Sequence, residues 1–188
     1  MKRETSYLDI HNKIKLKTSY SLERILNLIE EEDISASEEL YSFLKDIEDV
    51  LRKNKIADYT HIAAHRIEVL GFNTAIDQRI PLKKYQLERA SALIPTITET
   101  LSNALKPIEE RINTSRIIIK ELILKAYEEE IINYEENTNH ADHINKIWHS
   151  LLNHKILNKK ANEISLSLNK LDILTLLSEE INTNKMIS

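Results

Sequence analysis

Aliphatic residues recur every three or four positions through most of the chain, the spacing that lines one face of an α-helix. Leu22, Ile25, Leu26 and Ile29 predict a helix from about residue 20, while the preceding "NKIKLKTS" alternates and fits strand or helix alike. Ser35 followed by Glu38 is a capping-box pattern opening a second helix, with Leu40, Phe43, Leu44, Ile47, Val50 and Leu51 on its face. A third, over about 56–70, is predicted to end at Gly71 in a left-handed stop, with Ile56, Ala63, Ile67 and Leu70 turned inward. "GFNTAIDQRIP" then reads as a loop.

From Leu82 to Glu136 the pattern is helical almost throughout. Ile94, Ile97, Leu101, Leu105, Ile108 and Ile112 keep phase across Pro95 and Pro107. An unbroken helix of that length would extend about 80 Å, against a radius of gyration of about 16 Å for one compact domain of this size. Breaks or sharp kinks are therefore expected at both prolines, with Thr96 and Glu99 as a further capping box. Asn139 with Asp142 opens the next helix, carrying Ile144, Ile147, Trp148, Leu151, Leu152 and Ile156. A last one carries Ala161, Ile164, Leu168, Leu171, Leu174 and Ile181. The pattern predicts an all-α fold, an elongated antiparallel bundle of five to seven helices. With no Ser/Gly/Pro-rich linker, residues 1–188 read as one domain, the loop at 71–81 being the only candidate seam.

Composition narrows the chemistry. The 188 residues include a single glycine where average usage gives about a dozen. Walker loops, dinucleotide fingerprints and nucleophile elbows need several glycines at fixed spacing, so none can be built. There is no cysteine, which removes disulfides, thiolate catalysis and Cys-ligated metals. Twenty-six basic against thirty acidic residues leave a net charge of −4, and the basic residues are scattered in pairs such as Lys83-Lys84. That balance offers no overall attraction for nucleic acid or anionic lipid. No apolar run long enough for a membrane span or a standard export signal occurs, so a cytoplasmic location is expected.

Histidine is the one residue type that invites a metal. Asp58, His61, His65 and Glu68 share a quadrant of their helix, and an i, i+4 histidine pair with flanking carboxylates can chelate a divalent ion. With His140 and His143 they form the candidate ligand set. Against it, the apolar residues assigned to the third helix point the other way, and the histidines of 139–155 diverge around theirs. The Glu-x-x-His pairs of di-iron bundles are absent. "AAHRIEVLG" resembles the Ala-His-x-x-Lys-Gly helix of phosphotransfer domains around His65, but Glu68 and Val69 occupy the Lys and Gly positions. An anion thus stands where a phosphoryl group needs a cation. No cofactor is expected.

One segment departs from a simple amphipathic helix. In "SRIIIKELILKAYEEEII" the main face is Ile118, Ile119, Leu122, Ile123 and Ala126, yet Ile117, Leu124 and Ile131 form a second stripe at seven-residue spacing on the opposite side, bordered by Glu121, Lys125 and Glu128. Such a helix is either central in its domain or covered by a partner. The expectation is a non-catalytic, cytoplasmic helical-bundle protein that acts through a protein partner or self-association as a homo-oligomer, with no membrane or nucleic-acid role. The alternatives are a histidine/carboxylate metal-binding bundle and a helical regulatory protein.

Overall fold

The computed structural model describes residues 6–73, 81–132 and 139–185. Among these the protein is all-α, with seven α-helices and no strand. They are α1 (Tyr7–Glu30), α2 (Ser35–Lys53), α3 (Tyr59–Leu70), α4 (Leu82–Glu128), α5 (His140–Asn153), α6 (Asn158–Ser167) and α7 (Lys170–Lys185), with a short 3₁₀ turn at Gly71–Asn73. None of the described helices is long and apolar enough to cross a membrane. Contacts divide the chain into two compact units, Asp9–Pro107 and Met1–Leu8 with Ile108–Ser188. The loop at 71–81 falls inside the first of these, and its residues 74–80 lie outside the described set.

In the 9–107 unit, α1 begins much earlier than residue 20 because the alternating segment is helical: Ile14 is fully buried while Leu16 is exposed. Leu26, assigned to the inner face, is exposed. Ion pairs from Lys17 to Asp46 and from Arg24 to Glu39 (2.7 Å) set α2 running back along α1. Helix α2 buries Leu40, Phe43, Leu44, Ile47 and Leu51 as expected. Its capping box does not form. Ile34 is already helical, and Asp33 Oδ1 accepts from the Ser35 N–H at 2.9 Å. That backbone hydrogen bond and the Ser35 hydroxyl hold the Asp33 carboxyl below its ordinary pKa.

The inward face of α3 is also corrected. Ile62 and Val69 are buried, whereas Ile67 and Leu70 are exposed. The local pattern offers aliphatics on both sides, and the choice is made by Arg66, which shares the Ile62 side and pairs with a buried carboxylate on α2.

Helix α4 passes through Pro95 and Pro107 without interruption. Both prolines are exposed, and the carbonyls they leave unpaired belong to Ser91 and Asn103, which are exposed and within reach of water. Its length is not confined to one compact unit either, since residues 82–107 belong to one and 108–128 to the other. The in-phase residues Ile94, Ile97, Leu101, Leu105, Ile108 and Ile112 are all buried.

In the second unit, α5 is capped by Asn139, whose side chain accepts from the Ala141 N–H at 3.1 Å. It buries Ile144, Ile147, Trp148 and Leu151. Ile156 lies beyond its end and is exposed, Leu157 being buried in its place. The last expected helix is two. Leu168 is extended, and Asn169 Oδ1 accepts from the Asp172 N–H at 2.8 Å to start α7. That break resets the phase, so Ile173, Leu176 and Leu177 are buried and Leu171 is exposed.

Helix ends reveal a further departure. Gly71 is right-handed (φ −69°), and a Cβ added there meets nothing within 4 Å. The left-handed positions are instead Glu32 (φ 53°), Lys55 (φ 59°) and Glu130 (φ 53°). Each ends a helix in a Schellman motif. For Lys55, its own N–H reaches Arg52 O at 3.1 Å and the Ile56 N–H reaches Leu51 O at 3.0 Å. A left-handed conformation costs an L-residue roughly 1–2 kcal/mol, and glycine gives part of that back as extra chain entropy in the unfolded state. Lys55→Gly is therefore expected to stabilise the protein by about 0.5–1 kcal/mol. Urea denaturation checks this, and an unchanged or lowered midpoint contradicts it.

Candidate functional site

The histidine candidates fall in both units. His61 and His65 belong to the 9–107 unit, His140 and His143 to the other. His61 is exposed, while His65 is half-buried with Nε2 3.0 Å from Thr100 Oγ1 of α4, so it does not simply face solvent as the sequence suggests. Burial pushes its pKa below the ordinary histidine value. The Glu68 charge opposes that shift, and His61 adds to it. Glu68 itself is engaged by Arg89 at 2.6 Å. His140 is exposed with Nε2 2.8 Å from Ser178 Oγ, and His143 is buried rather than just outside the core. Among the described residues no group of three or more histidine or acidic side chains is arranged to hold a metal ion.

Helix α4 does present the second apolar face. Ile119, Leu122, Ile123 and Ala126 are fully buried, and on the opposite side Ile117 and Leu124 are 59% and 57% exposed. Ile131 does not continue the stripe. The helix stops at Glu128, and Ile131 follows the left-handed Glu130, with its N–H bonded to Ala126 O. A C″ aliphatic of a Schellman motif folds back toward its helix, and Ile131 is accordingly half-buried. Among the flanking charges, Glu121 pairs with Lys160 of α6, which lowers its pKa.

Two constellations left no signal in the sequence. In the 9–107 unit, Glu48 on α2 is buried and accepts from Arg66 Nε of α3 at 2.7 Å and from Arg52, one turn on in α2. Arg66 also donates to Tyr41 Oη at 3.0 Å and lies over the Tyr41 ring, 5.4 Å from its centroid. The buried carboxylate thus faces arginines that tie α2 to α3, an arrangement suited to structure.

In the second unit a groove of about 520 Å³ lies between Tyr7 at the start of α1, α4, α5 and the α6–α7 corner. Its floor is Trp148, Leu168 and Ile173, all buried. Tyr7, Arg111 and Lys170 border it, with Leu166 on the rim. The corner is fixed by Asp172, whose carboxylate accepts from Ser6 Oγ at 2.6 Å and from the Tyr7 N–H at 2.7 Å. Tyr7 in turn holds Arg111: the guanidinium donates to Tyr7 Oη at 2.7 Å and lies 4.8 Å from the ring centroid. The groove's residues come from positions 7, 111, 148 and 165–173, so no local pattern announces it.

No protein-family profile matches the chain, and no characterised protein or solved structure is significantly similar to it.

Proposed function

We propose that this is a non-catalytic, cytoplasmic helical protein that acts by association with protein, and first with a second copy of itself through the outer face of α4. The observation that carries the reading is the pair Ile117 and Leu124, more than half exposed on the side of α4 that faces away from its own core. Two aliphatics one heptad apart form the smallest seam that a second helix can cover. Lys120, Lys125 and Glu128 are exposed around them. A two-fold axis lets such a mixed rim meet its own complement on the other chain.

Leu124→Glu tests this directly. The substitution touches an exposed position, so it should change the folding stability of one chain by less than about 0.5 kcal/mol. In a dimer it brings like charges into the covered seam. Sedimentation of the unaltered protein is expected to show a dimer at micromolar concentration and Leu124→Glu a monomer, with equal helical content by circular dichroism. Leu16→Glu, at an exposed leucine of α1, should leave the dimer intact. An unaltered protein that is monomeric at high micromolar concentration rules the reading out.

A further inference from the structure

We propose that the groove bordered by Tyr7, Arg111 and Lys170 is a docking site for an acidic peptide segment of a partner protein, one carrying a carboxylate beside an aliphatic or aromatic side chain. The reading shares with the proposed function only the premise that the chain works by binding protein, and it concerns a separate surface.

Charge complementarity selects the occupant. Acidic residues outnumber basic ones in the chain, 30 to 26. Among the described residues, the charged side chains lining this groove are nevertheless Arg111 and Lys170, with no carboxylate beside them. Among the described residues neither cation has a carboxylate partner: Arg111 is engaged by the Tyr7 hydroxyl and ring. One of its five N–H donors is used there, and the remaining ones stay available in a guanidinium whose position is already fixed. A planar donor fork held in place in this way suits a carboxylate, because less side-chain freedom is lost on binding.

The apolar half of the groove selects a peptide over a free anion. Leu166 on the rim is 90% exposed, and Trp148, Leu168 and Ile173 make the floor beneath it. A small carboxylate or phosphate would leave Leu166 in water, whereas an aliphatic or aromatic side chain next to the carboxylate would cover it. The volume lies within the range of sites that take a few side chains. Nucleic acid is disfavoured, since two cations in a chain of net charge −4 give little counterion release.

Trp148 is the only tryptophan, and it lines the groove, so its emission reports occupancy. The probe is a displayed library of short random peptides lacking tryptophan, selected on the full chain and followed by titration of the enriched peptides. The expected result is enrichment of sequences pairing Asp or Glu with a large apolar residue, each shifting Trp148 emission saturably and more weakly as salt rises. Lys170→Glu and Leu166→Ser alter exposed side chains and should each weaken binding about tenfold with an unchanged melting temperature. Absence of enrichment overturns the proposal, as do enriched peptides without acids, affinities indifferent to Lys170→Glu, or full displacement by millimolar acetate or phosphate. The last would make the groove a small-anion site. Self-association is read by sedimentation and docking by Trp148 emission, so either can fail alone.

Discussion

Arg66→Met is expected to destabilise the protein by about 2–4 kcal/mol while leaving the surface of α3 otherwise unchanged. The reason lies in its partner. Glu48 is 2% exposed, so its carboxylate is removed from water and depends on the two guanidinium groups that face it. Methionine keeps the apolar stem of Arg66 and removes the donor 2.7 Å from Oε2. What remains is Arg52, whose side chain is more than half exposed, is engaged with Oε1 and lies over the Tyr59 ring. A buried carboxylate left half-satisfied costs more than the net worth of the pair, because its hydration is not restored. Removing both charges should therefore repair much of the damage. Glu48→Leu combined with Arg66→Met is expected to fall within about 1 kcal/mol of the unaltered protein, since apolar replacement of a whole buried pair is often neutral. A urea double-mutant cycle measures this. A loss below about 0.5 kcal/mol for Arg66→Met, or strict additivity of the two substitutions, would show that the pair is not coupled.

That cluster also marks where the sequence stops being informative. Helix α2, the 94–112 stretch of α4 and α5 were legible because a single face carries nearly all of their aliphatics, and there most expected residues are buried, Val50 and Leu152 being half-buried and Ile156, past the end of α5, exposed. Helix α3 was not. Twelve residues with Ile62 and Val69 on one side and Ile67 and Leu70 on another leave the face undecided by hydrophobicity, and the deciding partner, Glu48, is eighteen positions away. Capping signals split in the same way. Asn139 with Asp142 marks a helix start, while the same spacing in Asn169 and Asp172 is hidden because Leu168, Leu171 and Leu174 keep helical spacing across it.

Helix stops were the least legible feature, and the physical cause is specific. A left-handed glycine is a visible signal, but this chain uses Glu32, Lys55 and Glu130 for that conformation and keeps its single glycine in a right-handed one. Nothing in a glutamate or lysine advertises a helix end. The left-handed Glu130 also decides the candidate interface, because a seven-residue spacing from Leu124 to Ile131 has meaning only while the helix continues. Histidine depth was no more legible, since His65 and His143 sit deeper than local periodicity indicates. The groove was out of reach altogether, since it is made by tertiary approach of four separate segments.

One of its walls supplies the largest expected effect in the chain. Trp148→Ala should cost about 3–5 kcal/mol, the range for deleting a fully buried large aromatic side chain. The ring is 3% exposed and shares its face of α5 with Ile144, Ile147 and Leu151, all of them buried. No other tryptophan exists to compensate, and the neighbouring Leu168 and Ile173 are held by the Asp172 corner, which takes the Tyr7 N–H and Ser6 hydroxyl and resists collapse into the space left behind. Against a total stability of about 5–15 kcal/mol for an ordinary domain, a loss of that size removes at least about a fifth of the margin. Trp148→Phe retains a ring in the same place and should cost about 1–2 kcal/mol, so the pair of variants separates loss of volume from loss of the indole itself. Both must be followed by far-ultraviolet circular dichroism in urea, because the substitution removes the intrinsic fluorophore. A Trp148→Ala midpoint equal to that of the unaltered protein would mean that the indole packs nothing, and the floor assigned to the groove would fall with it.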